Sequence, residues 1–257
     1  MLVLAECIIW LFRFMLGACL FSFLNVIVWR LPRADSVVGG RSHCTTCNRT
    51  LTALELVPCF RWLFLKGRCK GCGEKISSRY FWVESLGGLL SMLCAYRFGG
   101  ESLEAVLAFA ILFLLTVVAL IDWDTLEIWD RFPLLLALCG LLCFFVFPAV
   151  GWQSRLIGLF VISLPMFILA VVIPGAFGGG DIKLMAAMGL VLGWKAALVA
   201  GFLAILAGGL YGALLLLLKK AQKKDHFAFG PFLCAASGLA LFAGDAIFNW
   251  YLSLFTL

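Results

Sequence analysis

The stretch PGAFGGGDIKLMAAMGLVLGW, residues 174–194, decides the fold class of this chain. It places Asp181 behind three consecutive glycines and at the head of an apolar run, with Lys183 two residues further on. An ionisable side chain is costly inside a membrane, so one at such a position indicates function by default. Whether the run lies in a membrane depends on the composition of the whole chain.

That composition is typical of a polytopic membrane protein. Apolar residues make up 64% of the 257 residues and charged residues 13%, and the mean hydropathy is +1.08. Since a spanning helix needs about 20 apolar residues, we predict an all-α membrane protein with about eight transmembrane helices. They cover residues of about 4–29, 81–98, 103–121, 132–150, 156–174, 182–193, 195–218 and 228–254.

The same pattern divides the chain into a first transmembrane helix (1–29), a polar loop domain (30–80) and a transmembrane core (81–257). The first stretch is too long for a removable signal peptide and lacks a small-residue cleavage site, so we expect it to be retained. The sixth span is short and is separated from the seventh only by Gly193-Trp194. This pair is either a tight helical hairpin or a partly re-entrant segment.

Basic residues orient the predicted helices. Loop 30–80 contains ten lysines and arginines against three acids, and such loops stay in the cytoplasm. Counting spans from this loop puts the basic cluster KKAQKK (219–224) in the cytoplasm too, the acidic loop 99–104 outside, and both termini outside. Three basic residues fall on the side that this bias disfavours: Arg97, Arg155 and Lys195.

Two aspartates lie at the cytoplasmic border in this topology. Asp122 ends the third span and Asp181 begins the sixth, so they can meet. Carboxylates about 3 Å apart share one proton, because both cannot ionise at low cost. One then serves as general base toward a water while its protonated partner polarises a peptide carbonyl. The alternative for either aspartate alone is a solvated residue at the membrane interface. The chain has neither a G-x-S-x-G nor an H-E-x-x-H motif.

Four cysteines form a second pattern in loop 30–80. Cys44 and Cys47 make one C-x2-C pair, and Cys69 and Cys72 make another after a gap of 21 residues. This spacing predicts two knuckles that hold one Zn²⁺ through four thiolates, a closed and therefore structural site. A cytoplasmic loop keeps thiols reduced, which favours a metal over disulfides. Four unrelated cysteines are the alternative, and we expect the neighbouring His43 to be a bystander.

Together these patterns resemble the bacterial type IV prepilin peptidases, GxGD-type membrane aspartyl proteases. The resemblance runs over nearly the whole chain. The segments that carry it are GACLFSFLNVIVWRLPR (17–33), the paired C-x2-C loop with GRCKGCGEKISSRYFWVE (67–84), ALIDWDTLEIWDRF (119–132), GGGDIKLMAAMGLVLGW (178–194) and FGPFL (229–233). The sequence departs from the family pattern at Trp129, where a proline is usual, and in CTTC, where a proline commonly follows the first cysteine.

The resemblance implies that Asp122 and Asp181 are the catalytic pair. It also implies a prepilin or pseudopilin substrate, cleaved after a glycine at the cytoplasmic border of the bacterial inner membrane. The new N-terminal residue would then be methylated from S-adenosylmethionine, whose contact residues we do not assign. The basic loop faces anionic lipid headgroups in this interpretation, or reflects only the positive-inside bias. No nucleic-acid partner is expected.

Other functions stay open at this point. An ion-coupled transporter could use the aspartates as a proton relay, a peptidase could lack the methyltransferase activity, and the cysteine loop could belong to a scaffold without chemistry. Arg13 in the first span and Glu84 in the second are further charges that need partners. Either could join the methylation site, but an ion pair between helices is the expected role.

Overall fold

The computed structural model describes residues 2–100, 102–218 and 227–255, and the regular secondary structure in this part of the chain is helical. It contains no β-strand in these ranges, only two isolated bridges, which confirms the predicted all-α class. Short 3₁₀ helices cover Leu31–Arg33 and Ala53–Leu56. The α-helices are α1 (Leu2–Arg30), α2 (Phe60–Phe64), α3 (Ser78–Phe98), α4 (Leu103–Thr125), α5 (Arg131–Val146), α6 (Trp152–Val161), α7 (Ser163–Val172), α8 (Gly179–Leu192), α9 (Trp194–Leu217) and α10 (Gly230–Ser253).

The predicted count of eight spans is not confirmed. By length and composition, five helical stretches can cross a membrane: Val3–Arg33, Leu103–Thr125, Trp152–Val172, Trp194–Leu217 and Gly230–Ser253. Helix α5 is apolar but shorter. Helix α3 carries Arg79, Glu84 and Arg97. Helix α8 has 14 residues, and at 1.5 Å per residue it is shorter than the bilayer core of about 30 Å. The basic cluster 219–224 lies outside the described residues.

The predicted span 156–174 is broken near its middle. Helix α6 ends at Val161 and α7 begins at Ser163. Pro165 lies in the first turn of α7, and a proline lacks the N–H that would continue the helical hydrogen-bond ladder. Hydropathy alone did not predict this break, because it does not show the effect of Pro165 on helical hydrogen bonds.

The junction between α8 and α9 is a tight turn. A single residue, Gly193, separates the two helices and has a φ of 75°. Glycine takes this left-handed conformation without steric cost. The structure thus joins these two segments as separate helices through one residue.

The chain forms two compact units, Met1–Ala105 and Val106–Leu257. In the first, α1 packs along α3 through glycines that bring the backbones close. A Cβ at Gly17 would overlap the backbone of Gly87, and one at Gly87 would overlap the ring of Phe21. Small residues at a helix interface are the usual device for such packing between apolar helices.

In the second unit, α8 is the central helix and contacts α5, α6, α7, α9 and α10. Residues from Ala187 to Leu192 are all buried. Gly189 meets Gly158 of α6 backbone to backbone, and Gly140 of α5 contacts Leu190. The short apolar segment that the sequence placed sixth is thus enclosed by the other helices of its unit.

The three basic residues that the charge bias did not explain have contacts of their own. Lys195 lies over the rings of Trp194 and Phe248, and Arg97 over the ring of Phe98. Arg155 is fully buried. It donates to the carbonyls of Cys143, Phe147, Val150, Leu190 and Val191 at 2.7–3.2 Å. Its guanidinium therefore joins the C-terminal ends of α5 and α8.

Among the described residues, neither Arg13 nor Glu84 forms the ion pair between helices that was expected for them. Arg13 lies over the ring of Trp10, 4.9 Å from its centroid. Glu84 is buried and accepts a hydrogen bond from the backbone N–H of Cys59 at 2.7 Å. The charge that acts on Glu84 is that of Arg61, which lies in the polar loop and not in a neighbouring spanning helix.

Candidate active site and four-cysteine cluster

Asp122 lies in the last turn of α4 and is almost enclosed, with 5% of its surface exposed. Its Oδ2 accepts a hydrogen bond from the backbone N–H of Gly230 at 2.9 Å. Gly230 begins α10, and a Cβ there would lie 2.7 Å from the same oxygen. A glycine at position 230 is therefore needed for the carboxylate to approach the start of α10.

Asp181 lies in the first turn of α8 and is half-buried. Its Oδ2 accepts from the backbone N–H of Gly178 at 3.2 Å. Glycine 178 has no side chain to cap the helix, so the aspartate three residues later reaches back to a free N–H instead. The run Gly178-Gly179-Gly180 thus allows the aspartate to fold over the helix start.

The two carboxylates belong to one electrostatic system. They are close enough that the charge of Asp122 acts on Asp181. Asp122 and Asp181 are thus brought together from helices that are far apart in sequence, although their roles stay a prediction.

Ile128 occupies the space between the starts of α8 and α10. A Cβ at Gly180 would lie 2.6 Å from the Cβ of Ile128, and one at Gly230 would lie 3.0 Å from its Cδ1. The rings of Phe177 and Phe229, which precede those helices, are 5.9 Å apart. Between α4 and Ile128 lies Leu126, which has a φ of 59°.

Sequence reasoning assigned no role to Ile128 or Gly230. Gly230 was visible within FGPFL, a segment of the resemblance, but nothing in the sequence linked it to Asp122. Ile128 gave a weaker signal, since it is one apolar residue in the polar segment TLEIWD. Nearby, Lys183 and Asp130 pair at 2.7 Å, but both are exposed, and such surface pairs contribute only about 0–1 kcal/mol.

The four predicted cysteines come together in the first compact unit. Their Sγ atoms all lie within 4.8 Å of one another, and those of Cys44 and Cys72 are 3.8 Å apart. A tetrahedron with zinc–sulfur distances of about 2.3 Å has edges of about 3.8 Å. The cluster therefore has the ligand type and size that structural zinc requires. His43 is not part of it, and its Nδ1 lies 3.3 Å from the carbonyl of Arg41.

The two knuckles, residues 43–50 and 68–75, have the same backbone pattern. The N–H of Cys44 donates to Arg49 and its carbonyl accepts from Asn48, while Cys69 does the same with Glu74 and Gly73. Asn48 and Gly73 have φ values of 54° and 73°, and asparagine and glycine adopt this region most readily. The two knuckles therefore have the same local backbone structure.

Backbone N–H groups favour the thiolate form in these knuckles. The N–H of Cys72, followed by that of Gly71, lowers the pKa of Cys69 to about 6. The N–H of Cys47 acts first in lowering the pKa of Cys44. The N–H of Glu74 acts to lower the pKa of Cys72. Desolvation and the three neighbouring sulfurs outweigh it and raise this pKa to about 12, because they oppose another negative charge. A cation among the four sulfur atoms would offset this repulsion and allow all four to bind as thiolates.

Arg49 connects the knuckles to the segment that follows. Its guanidinium pairs with Glu55 at 2.5 Å, and a Cβ at Gly71 of the second knuckle would lie 3.0 Å from its Nε. The Arg49 hydrogen bond, with the Thr52 N–H second, lowers the pKa of Glu55 to about 2. This carboxylate stays charged through the physiological range and fixes Arg49 against the second knuckle.

Comparison with known proteins divides the chain at nearly the same place as its fold. Residues 15–98 match the Bacterial Peptidase A24 N-terminal domain, and residues 108–213 match the Type IV leader peptidase family. The first match contains the four cysteines and the second contains both aspartates. No solved structure matches the chain.

Individual relatives share most of their length with this chain. It is 36% identical over 241 residues to the prepilin leader peptidase/N-methyltransferase of Bacillus subtilis (strain 168), covering 94% of this chain and 97% of that protein. For the protein of the same name from Aeromonas salmonicida (strain A449), the identity is 34% over 278 residues, with 96% and 93% covered. For that of Myxococcus xanthus (strain DK1622) it is 38% over 213 residues, with 80% and 63% covered. With the motifs, the fold and these matches in agreement, the chain belongs to the type IV leader peptidase family.

Proposed function

We propose that this protein is a membrane aspartyl endopeptidase that removes the leader from type IV prepilins or pseudopilins and then N-methylates the new N-terminal residue. The observation that carries the peptidase is the approach of Asp122 and Asp181 at the ends of α4 and α8. The family membership and the names of the relatives support both activities.

The hydrogen bonds around the two aspartates distinguish the roles of their carboxyl oxygens. Oδ2 of Asp122 is held by Gly230, and Oδ2 of Asp181 by Gly178. Each carboxyl group therefore keeps Oδ1 for the reaction. In the proposed mechanism, one Oδ1 takes a proton from the attacking water while the other carboxyl group, protonated, donates to the scissile carbonyl. The proton then passes to the leaving amine.

The proposed cleavage lies after a glycine at the cytoplasmic border of the inner membrane, with both termini of the enzyme outside and the cysteine loop inside. A membrane border suits this chemistry, since a prepilin would present its polar leader to the cytoplasm and its apolar helix to the bilayer. Anionic lipids would face the basic loop.

The four-cysteine cluster is proposed to hold one structural Zn²⁺. All four ligand positions are filled by thiolates, which leaves no open coordination position for a substrate. The metal would therefore stabilise the fold of residues 43–75. S-adenosylmethionine is the proposed methyl donor, and it supplies an activated methyl group when bound.

The transporter alternative has weaker support. Asp122 is in the last turn of its helix and Asp181 in the first turn of its own, whereas a relay across the membrane would need groups near the midplane. No other arrangement of charged side chains in the described residues suggests a path between the two faces.

Leader cleavage by aspartate variants tests the peptidase. Asp122→Asn and Asp181→Asn should each abolish prepilin-to-pilin conversion, because neither carboxyl group can perform both proton transfers. Glu replacements should also fail, since an error of about 1 Å can cost about a hundredfold in rate. Asp124→Asn, an exposed position two residues from Asp122, is the matched control and should cleave normally. Substantial cleavage by Asp181→Asn at matched expression would contradict the mechanism.

Metal analysis tests the cluster. Purified protein should contain about one zinc per chain, and Cys44→Ser or Cys72→Ser should lower that content and expose the loop to proteases, because metal-binding energy is also folding energy. Cys7→Ser, an exposed cysteine outside the cluster, should retain the metal. Full zinc content in a variant lacking all four cysteines would show that the assignment is wrong.

A further inference from the structure

A cavity of about 480 Å³ lies within the first compact unit and takes no part in the chemistry proposed so far. It is formed by α1, α3 and the cysteine loop, and its volume falls in the usual range for small-molecule sites of about 300–1,000 Å³. The residues that matter for its chemistry are Asn25, Glu84, Arg61, Tyr80 and Trp62. None of them is near Asp122 or Asp181 in sequence.

Two hydrogen-bond donors in the wall of this cavity lack partners. Asn25 is 7% exposed, and its Nδ2 has no hydrogen-bond partner among the described residues. The Nε of Arg61 is likewise buried and without an acceptor there. A buried donor that is left unsatisfied costs about 1–3 kcal/mol. The cavity is therefore suited to a ligand that brings acceptor atoms, such as a carboxylate, to these donors.

The same cavity also has acidic and aromatic groups. Glu84 is 9% exposed and lies in the wall, where its carboxylate accepts from the N–H of Cys59 at 2.7 Å and is close to the Ser22 hydroxyl and the Arg61 guanidinium. Asp35, Glu55 and Glu74 also line the cavity. Tyr80 and Trp62 add aromatic surface, which attracts both cations and flat heterocycles. A ligand that carries a positive charge and an aromatic ring would meet a complementary group for each.

We propose that this cavity binds the methyl donor, S-adenosylmethionine, and that Asn25, Arg61 and Glu84 are its polar anchors. The proposal rests on the methyltransferase half of the proposed function. The donor carries a carboxylate for Asn25 and Arg61, a sulfonium cation for Glu84, and an adenine ring for Tyr80 and Trp62. The unpaired donor on Asn25, which is more than nine-tenths buried in the wall of the cavity, is the observation that carries the proposal.

Binding to the detergent-purified full chain, measured with tritiated S-adenosylmethionine and with S-adenosylhomocysteine, separates these contacts. Asn25→Leu should weaken both ligands about tenfold or more, since one hydrogen bond to a charged group contributes about 1.5–3 kcal/mol. Glu84→Gln keeps an acceptor for the Cys59 N–H but removes the charge. It should therefore weaken the sulfonium ligand more than the uncharged sulfide, a difference that a misfolded variant would not show.

Two tyrosines of α3 provide a matched comparison that controls for the general effect of removing an aromatic side chain. Tyr80 lines the cavity and is 40% exposed, whereas Tyr96 lies near the other end of α3 and is 80% exposed. Tyr80→Ala should weaken both ligands, and Tyr96→Ala should leave binding unchanged. Zinc content and elution volume, measured for every variant, report whether the loop is folded.

Ultraviolet cross-linking of the tritiated donor to the unmodified protein gives a result that depends on no variant. The label should appear in peptides covering residues 22–30, 55–62 or 76–84. Labelling confined to residues 106–257, or wild-type affinity in all the cavity variants, would overturn the proposal while leaving the proposed function intact. Failure of the unmodified protein to bind either ligand would instead contradict the methyltransferase activity itself.

Discussion

Arg155 shows how a cation can be buried without a carboxylate. Its five hydrogen bonds all go to backbone carbonyls, four of them in the last turns of α5 and α8 or directly after them. The carbonyl ends of helices carry partial negative charge. The guanidinium therefore satisfies groups that would otherwise be unpaired in an apolar interior, and a lysine could not reach both helices with one ammonium group.

Replacing Arg155 should destabilise the second compact unit strongly. In Arg155→Met, several buried carbonyls lose their donor at about 1–3 kcal/mol each, so the loss should exceed about 3 kcal/mol. The apparent Tm in detergent should then fall by roughly 6 °C or more. Arg155→Lys should fall between Met and wild type. Arg131→Met, at an exposed arginine over Trp129, is the control, and an equal loss there would contradict this role.

The same residue marks a limit of prediction from sequence. Charge bias and hydropathy consider only whether each side chain prefers water or lipid. By these criteria Arg155 is a cation on the wrong side of the membrane. Its actual partners are backbone groups of segments up to 36 residues away, and every residue has such groups. The four cysteines, in contrast, were predictable as a cluster, because thiols at C-x2-C spacing have few other uses in a reduced compartment.

At the scale of elements, α8 is the helix on which the second unit depends. The sequence predicted its start at Asp181 and its end near Gly193, since glycines flank an apolar run. Its central position was not predictable by the same means. After Lys183, helix α8 is apolar on all sides, which indicates burial, but a span facing lipid has the same composition. Which helices surround α8 is decided by contacts such as Gly189 with Gly158.

The variant Gly189→Ala tests whether close helix packing outweighs helix propensity, because alanine favours the helix but adds a Cβ at a tight contact. A Cβ on Gly189 would overlap the backbone of Gly158 and Leu159, which cannot yield as a side chain can, so Gly189→Ala should destabilise by about 1–3 kcal/mol. Gly209 in α9 has nothing within 4 Å of the same added atom. Gly209→Ala should be neutral or stabilising, by up to about 1 kcal/mol. Thermal unfolding of both variants measures the contrast, and equal effects would rule out the close α6–α8 contact.

At the scale of the whole molecule, the membrane topology of the helices determines whether Asp122 and Asp181 lie on the same side of the membrane. Reporter fusions at about residues 60, 125 and 222 should report the cytoplasm, and fusions near residue 101 and at the C-terminus should report the outside, as the distribution of lysine and arginine predicts. Fusions at 125 and 177 are decisive. If those two report different sides, the paired-aspartate mechanism cannot hold.

The repeated knuckle also determines how the cluster would respond to changes in chain length. Each C-x2-C pair is already fixed by its own backbone bonds, so a metal would join two bidentate chelators rather than four independent ligands. Only the intervening segment, residues 51–67, has to close as a loop, and doubling the length of such a loop costs about 0.6 kcal/mol. Insertions between the knuckles should therefore be tolerated, whereas one residue added within either pair would break the chelate ring.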